Sequence, residues 1–411
     1  MARLIDAAWR MFRYIVAVLL FLALTPVLCS FLPTRLQPRQ SRQPNEPTRQ
    51  TFGIGFDLAV SNGFLPTRRQ ARQPRQPDEP TRQTFGIGFD LAVSYGTVAV
   101  SYPNGTVQSI AKVEGDAEYV ETMSRLSLLS SRHLHQPYQY GEAIGDLPRR
   151  ILREIRKKLG LPASRDVGIL SKMIRKLHAA AESFIGEPVY IAKASIPDFA
   201  YALYSEDIYE TFEYLQLSYL EIQPWQDWKP IYTSDAAYAA YDTRICSNYS
   251  KPSPCDGQSL PHGDAIPFQD YPHVLVAYYT RTELEVRIEK SAYTIIHAPD
   301  SCNSSLGHNS LQDTPDKNTY WDDVRQTIRG SRQYRMNDNV TQLLVTGDAA
   351  QSPEFRQVLK EETDSMFEKE LETFDEYPVF AAARGVARLV MVELWKQNHR
   401  RSIETKVAEE L

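Results

Sequence analysis

Cysteine is scarce here, with four in 411 residues, and no pair of Cys or His has the spacing of zinc ligands, which argues against a structural zinc centre. An excess of one charge sign is also missing. The 46 basic and 51 acidic side chains leave a net charge of −5, too mild to imply a nucleic-acid partner or electrostatic steering. Neither a Gly-x-Ser-x-Gly elbow nor a His-Glu-x-x-His helix occurs, so the usual signatures of a serine hydrolase and a zinc hydrolase are absent. His133 and His135 beside Leu134 fit loop positions better than ligand positions, and His262 with Asp264 across a glycine is a weak pair at most.

Apolar residue types make up 42% of the chain, enough for a large core, and the length suits two or three folding units. Arg3, Arg10 and Arg13 precede an uncharged run from Tyr14 to Cys29. At about 15 apolar residues the run fits a secretory signal and falls just short of an anchor of about 17. Residues 1–30 are therefore expected to be a signal peptide or a signal anchor, and the chain to enter the secretory pathway, secreted or held by a single membrane pass. Four sequons, at Asn104, Asn248, Asn303 and Asn339, agree with that destination. Beyond the run, Cys246 and Cys255 flank Ser253-Pro254, a loop-like setting that suits a disulfide, and Cys302 is left over.

Phe31 to Gly63 and Phe64 to Gly96 are near-copies with a period of 33 residues. Two copies rich in Pro, Arg and Gln cannot stack a solenoid core, so the pair reads as a tandem duplication. Residues 31–83 are expected to form a disordered tether, with Asp57 in a redundant strand and its counterpart Asp90 in a folded sheet.

From Phe85 to Val93 apolar residues alternate with Gly86, Gly88, Asp90 and Ala92, which predicts a strand with Asp90 on the face opposite the apolar one. Tyr95-Gly96 and Pro103-Asn104-Gly105 are turn sequences, predicting three antiparallel strands in succession. Leu147 to Gly160 predicts an amphipathic helix, its basic residues forming a solvated outer face and Leu147, Ile151, Leu152, Ile155 and Leu159 facing inward. A longer helix is predicted over about 166–185 and another over 208–217. Leu343 to Thr346, Gly347, Ser352 and Pro353 predict a strand, a turn and a capped helix start.

Read in order, these segments resemble the actin-like ATPase superfamily, and within it the nucleotide-binding domain of the seventy-kilodalton heat-shock chaperones. Asp90-Leu-Ala-Val-Ser94-Tyr95-Gly96 is similar to the first phosphate loop, Asp-Leu-Gly-Thr-Thr-Tyr-Ser, with Ala92 in place of a glycine. Ile231 to Tyr241 resembles the first connecting helix, with Thr233 where the family has a glutamate. Leu275 to Val286 resembles the second phosphate loop, but Tyr278 replaces its acid, and Thr280, Arg281 and Thr282 replace its three glycines. Leu343 to Pro353 looks like the adenosine motif around Gly347, and Pro378 to Ala387 resembles the closing connecting helix.

The resemblance implies an α/β, two-lobed actin-like fold built from ribonuclease-H-like repeats. Lobe I would comprise 84–243 plus 376–400, and lobe II 244–375 with a shortened lid. It also implies a vestigial nucleotide cleft at Asp90, Ser94, Tyr95 and Gly347. With the glycine cradles and metal partners gone, the expectation is a pseudo-ATPase without a metal site, for which ATP and magnesium are doubtful ligands. It would act as a binding or scaffold module for a protein partner, without nucleic acid, and would meet a membrane through the N-terminal segment if that segment is uncleaved. The alternative is an active ATPase or phosphotransferase centred on Asp90, assisted by Asp235 or Glu283.

Overall fold

A computed structural model describes residues 83–127, 146–197, 205–220, 231–242, 245, 272–290, 302–334 and 340–410. The hydrophobic run, nearly all of the tether, Cys246, Cys255, Asn248, Asn339, His133, His135, His262 and Asp264 lie outside these residues.

The first sheet starts with β1 (Gly86–Leu91), β2 (Tyr95–Ser101) and β3 (Val107–Glu114), antiparallel as the turn sequences predict. β4 (Ile191–Ile196) then joins β1 in parallel, and β5 (Ser218–Tyr219) and β6 (Ile231–Tyr232) each pair in parallel with β4. The strand order is β3-β2-β1-β4-β5, with β6 off the path. Gln83, assigned above to the tether, is buried against the start of β4: its Oε1 accepts from the amides of Tyr190 and Ile191, and its Nε2 donates to the Ile191 carbonyl at 2.8 Å.

The second sheet contains β7 (His273–Tyr279), β8 (Leu284–Lys290), β9 (Cys302–Asn303), β10 (Val340–Thr346) and β11 (Glu372–Phe374). Its order is β11-β10-β7-β8-β9, with the first three strands in sequence antiparallel and the last two parallel to the first. Both sheets therefore follow one plan, an antiparallel meander whose first strand is extended by parallel neighbours. The protein is a mixed α/β structure with two such sheets, each flanked by helices.

β1 is buried on both faces, for two reasons. Ile87, Phe89 and Leu91 meet α1 (Ala117–Leu126) and α3 (Arg165–Ile185), where Met123, Leu170, Ile174 and Leu177 complete one core. The opposite face carries Gly86 and Gly88, against which α8 (Ala381–Glu410) lies so closely that a Cβ on Gly88 would sit 2.3 Å from the Ala383 carbonyl oxygen. α8 also crosses α5 (Thr233–Tyr241), where a Cβ on Gly385 would be 1.6 Å from the Ala236 carbonyl oxygen. Arg388 fastens the crossing by donating to the carbonyls of Ala239 and Ala240 at 2.7 and 2.8 Å, acceptors that the end of a helix leaves over. α5 and α8 share a core with Val274 and Val276 of β7 and Leu344 of β10, so this pair sits between the sheets. On its far side the second sheet packs on α6 (Lys317–Gly330) and α7 (Pro353–Met366).

Local signals account for several of these elements. Ser164 caps α3 through the Val167 amide at 3.0 Å, and Gly186 ends it in the left-handed region with φ 79°. Ser352 caps α7, with Pro353 in its first turn. Among the described residues no helix is long and apolar enough to cross a membrane.

The amphipathic helix, α2 (Leu147–Lys158), sits the other way round from expectation. Leu152 is 58% exposed and Ile151 and Ile155 49%, whereas Arg153 is only 5% exposed. Arg153 donates to Asp207 at 2.6 Å and Glu210 at 2.8 Å on α4 (Ser205–Leu215), and Arg149 to Asp146 and Glu206. The acids of α4 decide the orientation: the basic face finds charge partners, and the apolar face turns outward. Phe184 of α3 is likewise exposed, although it continues the helical spacing of the buried Leu170, Met173, Ile174, Leu177 and Ala181.

Candidate functional site

Asp90 is the penultimate residue of β1, on the face that the α5–α8 pair covers, and is 2% exposed. Its Oδ1 accepts from Ser195 Oγ on β4 at 2.8 Å and from Thr233 Oγ1 at 3.0 Å. Thr233 opens α5, and the positive end of a helix dipole favours a carboxylate there. The residue standing where the resemblance has a glutamate thus holds the acid directly through its hydroxyl. Asp235, one of the two acids in the active-site alternative, is half-buried in the first turn of α5.

Tyr95 opens β2 with its ring buried and the Lys112 ammonium 4.6 Å from its centroid. Burial raises its phenol well above the usual range, and Asp90, Asp348 and Glu283 add to the rise, so charges from both sheets converge on this hydroxyl. Tyr119 donates to the Ala92 carbonyl at 2.9 Å and fixes the loop after β1. Ser94 Oγ is buried and has no hydrogen-bond partner among the described residues.

Tyr278 is the penultimate residue of β7, the place in the second sheet that Asp90 takes in the first. It is 3% exposed, and its hydroxyl has no hydrogen-bond partner among the described residues. Its phenol is also raised, by burial first and then by Tyr95, Glu283, Asp90 and Asp348. Gly347 follows β10 with φ 110°, and a Cβ there would lie 2.1 Å from the Tyr279 carbonyl oxygen. Both observations require glycine, and its amide donates to the Pro378 carbonyl at 2.9 Å.

The next residue, Asp348, is the hub of an ion cluster joining the two sheets. Its Oδ2 is 2.7 Å from Arg281 Nε and 2.9 Å from Lys112 Nζ, and its Oδ1 accepts from the Arg281 amide at 3.1 Å. Arg281 also pairs with Glu114, which lies 2.8 Å from Lys112. Lys112 and Glu114 belong to β3, whereas Arg281 lies in the β7–β8 turn and Asp348 follows β10. The four side chains clasp the sheets beside Asp90, Tyr95 and Tyr278. In the sequence Arg281 stands out as the replacement of a loop glycine, whereas Lys112, Glu114, Asp348 and Ser195 carry no motif signal. A pair such as Arg281 and Glu114, 167 residues apart, leaves no local signal.

These residues do not fit a magnesium triphosphate. A phosphate cradle needs bare backbone amides, yet the Arg281 amide is already given to Asp348, and those of Thr282 and Glu283 to the Thr280 hydroxyl. Among the described residues no group of three acids, histidines or cysteines is arranged to hold a metal ion. Of the sequons described, Asn104 is exposed at its turn and accepts from the Thr106 amide at 3.0 Å, while Asn303 is half-buried and caps a short turn through Ser305.

No protein-family model matches this chain, and no curated protein matches it significantly.

Proposed function

We propose that this chain is a pseudo-ATPase of the actin-like superfamily, a degenerate relative of the chaperone nucleotide-binding domain that works as a binding or scaffold module in the secretory pathway without turning over ATP. The single observation that carries the reading is the ion clasp of Lys112, Glu114, Arg281 and Asp348. It occupies, with side chains and their bonds, the turn where such an enzyme would present glycine amides to phosphate. The shared strand plan of the two sheets supports the fold half of the reading, since a doubled ribonuclease-H-like unit has that plan. The small-residue crossing of α5 and α8 supports it too, as the join between the lobes.

The alternative, hydrolysis centred on Asp90, has less behind it. The Asp90 carboxylate is engaged by Ser195 and Thr233, Glu283 is buried where its charge helps raise the phenols of Tyr95 and Tyr278, and among the described residues no group of three acids, histidines or cysteines is placed to hold a metal. Electrostatic stabilisation of a transferring phosphoryl group is the largest part of such catalysis, and losing one donor costs about 3 kcal/mol.

Thermal unfolding with and without ATP and magnesium tests the proposal. A ligand at 100 times its dissociation constant stabilises by about 2.7 kcal/mol, so the expected result is an unchanged midpoint at millimolar nucleotide. A magnesium-dependent rise accompanied by phosphate release would establish the enzyme instead.

A further inference from the structure

The proposed function does not use the outward face of α2. Leu147, Ile151, Leu152, Ile155, Leu159 and Leu161 are all exposed, each by 46% or more. At 100° per residue the first five cover an arc of about 140°. Lys158, exposed, lies within that arc; Arg150, also exposed, lies about 60° beyond its Leu147 edge, and Arg156, whose Nε donates to the Pro162 carbonyl, lies about 40° beyond the other. Glu154, the only acid on the helix, is 2.6 Å from Lys157. Among the described residues, the acids that pair with this helix from outside it are Asp146 and Glu206 with Arg149, Asp207 and Glu210 with Arg153, and Glu213 with Lys157. Apolar residues with basic edges thus face solvent along a helix about 18 Å long.

We infer that this face is a docking surface for an anionic lipid bilayer. The charge distribution decides among occupants. A second copy of the chain would bring its own basic edges against these, like against like. An acidic lipid surface complements them while the aliphatic side chains enter the boundary between headgroups and acyl chains. The face is the convex side of one helix, a shape that a bilayer accepts without a matching groove. The uncharged run Tyr14 to Cys29, expected above to be a signal peptide or signal anchor, would bring the same chain to a membrane. The inference stands apart from the pseudo-ATPase reading, since none of its residues belongs to the clasp.

The test uses the full-length chain with Ile155→Trp, read as a difference from wild type against vesicles of brominated phosphatidylcholine with and without phosphatidylserine. Unchanged circular dichroism serves as the folding control. The expected result is at least a twofold loss of the introduced indole's emission with anionic vesicles. Arg150→Glu or Lys158→Glu should weaken that response about fivefold each. Equal quenching by neutral and anionic vesicles, or none by either, overturns the inference. So does emission that is already blue-shifted in lipid-free buffer and indifferent to vesicles, because the face is then covered by protein, whether this chain or a second copy.

Discussion

Glycine has opposite consequences at two positions in this protein. At Gly385 an added methyl would meet the Ala236 carbonyl oxygen at 1.6 Å, backbone that moves only if α5 and α8 separate. Gly385→Ala is expected to destabilise by about 3 kcal/mol, read as a lower urea midpoint at unchanged slope. Gly330, at the end of α6, meets nothing within 4 Å and does not have a positive φ. Gly330→Ala should raise stability by about 0.5–1 kcal/mol, since it removes freedom from the unfolded chain only. If the two substitutions shift the midpoint in the same direction, the close helix crossing is wrong. A second residue-scale test concerns Glu114. Partial burial pushes its carboxyl up, but the bonds from Lys112 and Arg281 outweigh that and hold it below its ordinary 4.5. A folded pKa below the unfolded one contributes stability above about pH 4.5 that is lost as pH falls through the folded value. Wild type should therefore lose stability faster than Glu114→Gln between about pH 5 and 3, measured by chemical unfolding at each pH.

At the scale of the element, α2 separates amphipathicity from burial. Its pattern is that of an inward aliphatic stripe, yet Arg153 is the residue that is buried, in contact with Asp207 and Glu210. Those acids raise its pKa against the opposing effect of burial. Removing one member of a buried ion group leaves the others uncompensated, so Arg153→Ala is expected to cost about 3–5 kcal/mol. Ile155→Ser, on the exposed side, should stay within about 0.5 kcal/mol of wild type. The reverse ranking would mean that the helix packs by its aliphatic face. Arg287 on β8 is a second buried charge, paired with Glu285 of its own strand and donating to the Ser234 hydroxyl of α5, so a charge-assisted hydrogen bond also ties the second sheet to the central helices.

For the whole molecule, the clasp links two sheets that also meet through α5 and α8. Glu114 and Arg281 are partly exposed, and raising salt from 0.1 M to 1 M shortens the screening length from about 10 Å to about 3 Å. Wild type is expected to show a salt-dependent fall in its thermal midpoint that a Lys112→Gln, Arg281→Gln double variant lacks. A salt response of equal size in both would remove the clasp from the account of how the sheets are held. The proposed scaffold function would draw on such a clasp, because a binding surface keeps its shape when its supports do not move apart.

Local pattern in the chain determined much of the architecture. Alternation and turn residues determined β1 to β3, the Ser164 and Gly186 caps bounded α3, and Ser352-Pro353 began α7, because these depend on neighbours a few residues away. Asp90 lies on the face of β1 opposite Ile87 and Phe89, as alternation predicts, and Gly347 fills the turn after β10, although their partners Ser195, Thr233 and Tyr279 came only with the fold. Tertiary structure alone decided which face of α2 is covered, that β7 to β11 repeat the plan of β1 to β5, and that Arg281 reaches Asp348 and Glu114. The reason is physical: periodicity shows that a helix has two faces, not what lies opposite them, and a charge finds its partner through space rather than along the chain.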